Sequence, residues 1–336
     1  MKYFVSLFFL ILAAWTIFGY FIAPDNTQWA AQQLPELAQK PPFFSAYLAI
    51  EKRQETSFFE TLLKGKNPSE IWLLSPNKPY TLSTNDDSLL LHLNNGENKK
   101  VARKQLEYSK PVQFTYYLGT DPLGRDIFSR LIIGSRTSLT ISIIAILISV
   151  FVGVTLGLCS GYFEGWIDVV ISWLMNVFWA LPSTLLAIGI AFAIGKGFFT
   201  VVIAISAVLW IDIARLVRHE TLRLKEKDFI KASQTLGLNS QRILFFHILP
   251  NLITPIRVIS FSTFTTALIL EGSLSFLGLG VSPPVPSWGT LIFDGYYYIA
   301  LSSGKWLLLA PAFYLITTVL CLQYLTNQLL NPNPVS

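Results

Sequence analysis

Few side chains in this sequence have the type and spacing that covalent chemistry needs. The three histidines, His92, His219 and His247, are scattered, and His219-Glu220 does not continue into the HExxH pattern of a zinc protease. The cysteines Cys159 and Cys321 sit inside apolar runs without CxxC spacing, so neither a zinc site nor a disulfide framework is indicated. No metal site is expected. A phosphate-binding loop is approached only at Gly189 to Gly195-Lys196, with one residue too many between the glycines and Gly197 where Ser or Thr should follow. GSLSF, near the end of an apolar run, is not a GxSxG elbow, and no histidine lies within an apolar run near a partner, so an enzyme embedded in a membrane lacks its parts. No residue is assigned a catalytic role.

Transport chemistry asks instead for polar groups at membrane depth. Composition supplies the membrane: 52% of the residues are hydrophobic and 13% charged, against about 25% charged in soluble domains. The net charge of +5 comes without the basic, aromatic-interleaved pattern of a nucleic-acid groove. Six apolar runs approach the roughly 20 residues that cross a bilayer, at about 3–23, 137–160, 168–194, 198–217, 252–276 and 306–330. The first reads as an uncleaved span, its unbroken length exceeding a signal-peptide core. The third is interrupted by Leu181-Pro182, which predicts a kink or a broken helix.

Three polar residues inside these runs, Asn176, Asp212 and Glu271, are candidates for a translocation path, because charges at midplane are costly. Each has a structural alternative. Asp212 stands one turn from Arg215 and reads better as an intrahelical pair. Asn176 reads better as a helix–helix hydrogen bond. Glu271 divides evenly between lining a path and structural pairing.

Loop charges set the orientation. Arg215, Arg218, Arg223, Lys225, Lys227, Lys231 and Arg242 crowd one connection, whereas the connection after the fifth run has only Lys305, so the former is predicted to be cytoplasmic. Both termini then fall inside and the segment after the first run outside. In that segment SLLLHLNNGENKKVA reads as a strand, an Asn-Gly turn and a second strand. The organisation is a first transmembrane helix at 1–23, a mixed α/β extracytoplasmic insert at 24–118, and a transmembrane domain at 119–330.

Within the basic connection, Phe229, Ile230, Ser233 and Leu236 recur at helical spacing, Gly237 supplies a stop, Asn239 or Ser240 caps a second helix, and Pro250 ends it. Pattern alone leaves open a helix on anionic headgroups and a protein-docking element. This stretch resembles the cytoplasmic coupling loop of ABC importer permeases. Lys231-Ala232-Ser233, Gly237 and Ile248-Leu249-Pro250 fall on the family's E-A-A, three residues, G and terminal I-x-L-P pattern, with Lys231 in place of the glutamate. GTDPLGRDIFSRLIIGSRTSL, from Gly119 through Asp121, Gly124, Arg125 and Asp126 to Leu139, is similar to the segment before the second span in the dipeptide, oligopeptide and nickel class of these permeases, in the C-type partner. LEGSLSFLGLGVSPPVPSWG, 270–289, fits the same class, and the resemblance covers most of 116–325.

The resemblance implies an all-α polytopic membrane protein of about six spans in the type I importer architecture, in the bacterial inner membrane. It implies a permease subunit for peptides or similarly sized solutes, paired with a second permease subunit, with one or two ABC ATPases and with an extracytoplasmic substrate-binding protein. ATP and magnesium would be bound by the ATPases, no cofactor by this chain, and nucleic acid by neither. The coupling loop, 219–251, would touch the ATPase through Asp228, Phe229, Ile230, Lys231, Ala232, Ser233, Leu236 and Gly237, then Ile248, Leu249 and Pro250. The turn motif Gly119, Asp121, Gly124, Arg125, Asp126 reads as a structural turn that orients the second span. The alternative is that Arg125 and Asp126 pair with the outer connection 277–305 or with the binding protein. A membrane scaffold acting through its outer insert is the alternative function.

Overall fold

The computed structural model describes residues 2–53, 56–76, 79–82, 88–300 and 302–330; the C-terminal tail NPNPVS lies outside them. In chain order the helices and strands are α1 (Lys2–Ile22), β1 (Phe44–Ile50), α2 (Phe58–Lys64), β2 (Ile71–Leu73), β3 (Tyr80–Leu82), β4 (Ser88–His92), β5 (Asn98–Ala102) and β6 (Val112–Tyr116). The helices α3 (Ile127–Phe163), α4 (Gly165–Trp179), α5 (Ser183–Ile194), α6 (Phe198–Lys225), α7 (Asp228–Thr235), α8 (Ser240–Ile243), α9 (Leu249–Phe276), α10 (Trp288–Tyr297) and α11 (Ser302–Leu330) follow. Among the described residues five helical stretches are long and apolar enough to cross a membrane, and α4 with α5, bent by 91° at Leu181-Pro182, counts as a sixth when the bent pair is taken as one span. The break falls where proline removes a helix hydrogen bond and crowds the preceding turn.

The chain forms two compact units, one of 1–137 with 283–313 and the other of 138–282 with 314–336. In the first, two antiparallel sheets carry the insert. One has the order β2-β1-β6, with Phe44 opposite Tyr116, and buries Leu37, Ala46, Leu48 and Tyr116 together. The other has the order β3-β4-β5 and buries Leu89, Leu91 and Val101 on one face, the alternation its sequence announces. The hairpin from β4 to β5 closes with His92 opposite Asn98, around the Asn-Gly turn.

α3 begins ten residues before its apolar run does. The Asp126 carboxylate accepts the Ser129 N–H at 3.0 Å, an N-cap that starts the helix at Ile127. In the second unit α6 is the central helix, with 72% of its apolar window buried. Gly153, Gly157 and Gly161 of α3 lie against its backbone: a Cβ at Gly153 would stand 2.7 Å from Trp210 O, and one at Gly157 2.6 Å from Ala214 O. Three small residues spaced by four thus let two helices approach to backbone contact, the packing that lipid-embedded helices use where no hydrophobic drive separates helix from lipid.

Candidate functional site

The basic connection is a helix, a glycine turn and a second helix. α7 ends in a Schellman motif: Leu238 N–H donates to Ser233 O at 3.2 Å and Gly237 N–H to Gln234 O at 2.9 Å. Gly237 holds φ at +72° with nothing near its Cα hydrogens, so the turn demands its left-handed backbone and not its small size. Asn239 Oδ1 accepts from Gln241 N–H and caps α8.

The second helix does not end at Pro250, as the sequence predicts. It runs through a π-helical turn, Leu244–Ile248, in which Leu249 N–H reaches back five residues to Leu244 O, and continues as α9 with Pro250 in its first turn. The π turn takes up the register that proline's missing donor would break, and Asn251 Nδ2 donates to His247 O at 2.6 Å. The connection is therefore joined to the fifth span without a hinge residue between them.

Its two sides are sharply divided. Ile230 is 0% exposed and packs with Tyr162, Val217, Leu224, Ile243 and Ile248, and Ser233 is buried beside it. This corrects the expectation that Ile230 stands on a docking side: it roots α7 in the core, as Ile248 roots the π turn. The outward apolar residues are Phe229, Leu236 at 80% exposed and Phe246 at 75%, with Phe245, which sequence reasoning passed over. Asp228, Lys231, Ala232 and Pro250 are exposed beside them, and Leu249 is half-buried.

Behind this segment lies a polar lattice that the sequence reading missed. Arg218 of α6 grips Asp168 of α4 in a two-point pair, Nε to Oδ1 and Nη2 to Oδ2 at 2.7 Å each. Ser172 donates to the same carboxylate at 3.0 Å, and Ser160 of α3 joins it. Two turns further along α6, Lys225 donates to Tyr162 O at 2.8 Å and to Glu164 Oε1 at 2.9 Å. Arg218 and Lys225 had signalled only orientation; Asp168, at the start of an apolar run, was the available clue.

Of the intramembrane candidates, Asn176 makes the helix–helix bond, its Oδ1 accepting from Arg215 Nη2 at 2.7 Å. Arg215 also lies over the Trp179 ring at 4.3 Å, and no ion pair joins it to Asp212 among the described residues. The intrahelical pair is thus replaced by a reach to α4, where the guanidinium gains a ring face and an amide together. Asp212 is exposed on α6. Glu271 is 0% exposed in α9 and accepts from Ser275 Oγ, one turn along the same helix, at 2.8 Å.

The turn before α3 is held from both sides. Asp121 Oδ1 accepts Leu123 and Arg125 N–H at 2.9 Å each, and its Oδ2 pairs with Arg125 Nε at 2.6 Å. Lys40 N–H donates to Thr120 Oγ1 at 2.8 Å and Thr120 N–H to Lys40 O at 3.1 Å, stitching the turn to the chain before β1. Gly119 and Gly124 fit only as glycine: a Cβ would stand 2.3 Å from Lys40 O and 1.8 Å from Leu34 O. The residue that reaches the outer connection is Arg130, 3.4 Å from Asp121 and 3.9 Å from Asp294 of α10; Arg125 stays within the turn. Burial pushes the Asp126 carboxyl up to about 6, against the donors of Ser129, and raises Asp25 and Asp294 in the same direction. Trp288 of α10, fully buried, donates to Leu131 O at 3.3 Å and fastens the outer connection to the start of α3.

Comparison with known proteins joins these features. Residues 153–331 match the family model of the binding-protein-dependent transport system inner membrane component. The oligopeptide transport system permease protein OppC of Bacillus subtilis is 40% identical over 214 residues, covering 64% of this chain and 70% of that protein. The dipeptide permease DppC of Alkalihalophilus pseudofirmus is 40% identical over 205 residues, 61% of this chain and 67% of its own. The glutathione permease GsiD of Pectobacterium atrosepticum is 40% identical over 177 residues, 53% of this chain and 59% of its own. In fold, an inward-facing crystal form of the MetNI methionine ABC transporter aligns with a TM-score of 0.50 at 16% identity, over 59% of this chain and 93% of that one. With the broken third span, the glycine-turned basic connection and a family match over more than half its length, this chain belongs to the inner membrane components of binding-protein-dependent transport systems.

Proposed function

We propose that the chain is the permease subunit that moves peptides, or solutes of similar size, into the cell, taking them from an extracytoplasmic binding protein and drawing on ATP hydrolysed by separate subunits. The substrate class follows the peptide permeases it is similar to. The observation that carries the coupling role is the division of the helix-turn-helix segment: Ile230 and Ile248 root it, while Phe229, Leu236 and Phe246 face outward. Such a face suits an apolar groove on an ATPase, with helix laid into groove. Nucleotide and magnesium belong to that partner.

The lattice gives the motion a route. α7 follows directly from α6, and Arg218 ties α6 to α4, the helix that ends at the 91° break. A displacement of the docking segment therefore carries α6 and α4 with it, and α9 through the unhinged π turn, as packed elements move in rigid steps. A second permease subunit completes the path, and an apolar cavity of about 650 Å³ between α3 and the segment 241–257, lined by Val150, Leu158, Phe245 and Ile253, is its proposed seat.

Leu236→Asp with Phe246→Asp tests the coupling role. Both side chains point outward, so the chain should fold and enter the membrane at wild-type yield. Each buried anchor of an interface contributes about 2 kcal/mol, so the ATPase should be lost on washing. An ATPase that stays bound to the double variant at wild-type stoichiometry contradicts the assignment.

A further inference from the structure

α2 is an amphipathic helix turned inside out. At 100° per residue Phe58, Phe59, Leu62 and Leu63 share an arc of about 140°, while Glu60 and Lys64 stand together on the other side. A helix of a soluble unit buries such an arc. Here Phe59 is 73% exposed, Phe58 57% and Leu63 62%, and the buried residue is Thr61, bonded to Thr56 Oγ1 at 2.7 Å.

The arrangement is held, not loose. Ser57 caps the helix by accepting Glu60 N–H at 3.2 Å, and Gly65 ends it so tightly against Tyr20 of α1 that a Cβ would meet the ring at 2.8 Å. Arg136 of α3 donates to Leu62 O at 2.7 Å and covers the Tyr20 ring at 5.6 Å. Phe58 stacks on Phe21 at the end of α1, 5.2 Å between centroids.

Phe21 supplies the identity of the occupant. With Phe18 and Ile22 it belongs to the exposed apolar flank of α1, a candidate span only 28% buried by the rest of the chain. The aromatic arc of α2 meets that flank through the Phe58–Phe21 stack, and Arg136 lies beside it, donating to Leu62 O. From this continuity we infer that α2 lies in the bilayer interface, with Phe58, Phe59 and Leu63 among the lipids at the end of α1, so that the insert is moored to the membrane surface through its own helix. The inference rests on α1 being a span and on nothing else in the proposed function.

Its test uses the full chain in nanodiscs, with Cys159 and Cys321 replaced by alanine and a bimane label on one new cysteine. Phe59→Cys and Leu63→Cys should be quenched at least threefold more by lipids spin-labelled near the headgroup than Glu97→Cys in the β4–β5 hairpin. Quenching by aqueous iodide should be at least threefold weaker than at Glu97→Cys. Equal iodide quenching at positions 59 and 97 would overturn the inference. So would shielding from iodide that is absent in the lone chain and appears only when partner proteins are bound, which would give the face to a protein. A Leu10→Cys label indifferent to spin-labelled acyl chains would overturn the span, and this inference with it.

Discussion

At the scale of single residues, the turn before α3 concentrates the sharpest consequences. Gly124→Ala would bring a Cβ within 1.8 Å of Leu34 O at a backbone φ of +73°, and neither the turn nor the Leu34 backbone can yield cheaply. A loss of about 3 kcal/mol or more is expected, read as a lowered Tm of the solubilised chain. A Tm within a degree of wild type would show that the turn is not clamped. Asp126 adds a pH dependence of unusual sign. Its carboxyl is raised to about 6 in the fold by burial, against about 4 when unfolded, so the folded chain holds this proton longer. Its contribution is therefore full below about pH 4 and is lost as pH rises through about 6, by about 3 kcal/mol at most. Asn cannot ionise and caps α3 as well as Asp does. Measured against wild type, Asp126→Asn should gain stability from pH 4 to pH 7, and a difference that stays constant with pH would contradict the buried neutral acid. The glycines and Asp121 of this turn are legible from residue type. The engagement of Arg130 with Asp294 is not, because the outer connection is brought there by tertiary packing, Trp288 bonded to Leu131 O and Leu291 against Ile127.

Among the elements, the apolar runs and the Leu181-Pro182 break could be read directly, since bilayer thickness and proline geometry act locally. What escaped was side-to-side placement. The Gly153, Gly157, Gly161 stripe is visible as a pattern, yet only the fold says that it meets α6 carbonyls. Gly157→Val would force α3 and α6 apart, at a cost of about 1–3 kcal/mol, and should reduce the folded fraction in detergent; an unchanged Tm would deny the close contact. Ile230 escaped for a related reason. Spacing put it on one side with Phe229 and Leu236, while the core contributed by Tyr162, Val217 and Ile248 took it inward. The glycine stop behaves as its sequence promises, with open space about Gly237 and a left-handed φ. Gly237→Val should therefore leave the spans folded, distort the α7–α8 angle and weaken ATPase binding or uncouple it from transport. Normal binding together with normal transport would remove the turn from the mechanism.

Across the whole molecule, the family and the span count were within reach of the sequence because both depend on patterns carried along the chain. The insert was legible as a strand hairpin but not as two sheets with an outward-facing aromatic helix, since nothing in FFETLLK tells which side is covered. In the proposed function the basic connection, the Arg218–Asp168 tie and the unhinged π turn would together act as a lever driven by a separate ATPase. The most direct measurement is purification of the tagged full chain from native membranes in mild detergent, with identification of its partners and an ATPase assay on the product. Recovery of a second polytopic permease with an active ABC ATPase, the ATPase alone being lost in the Leu236→Asp, Phe246→Asp variant, is the predicted result. A folded chain that brings down neither would contradict the account.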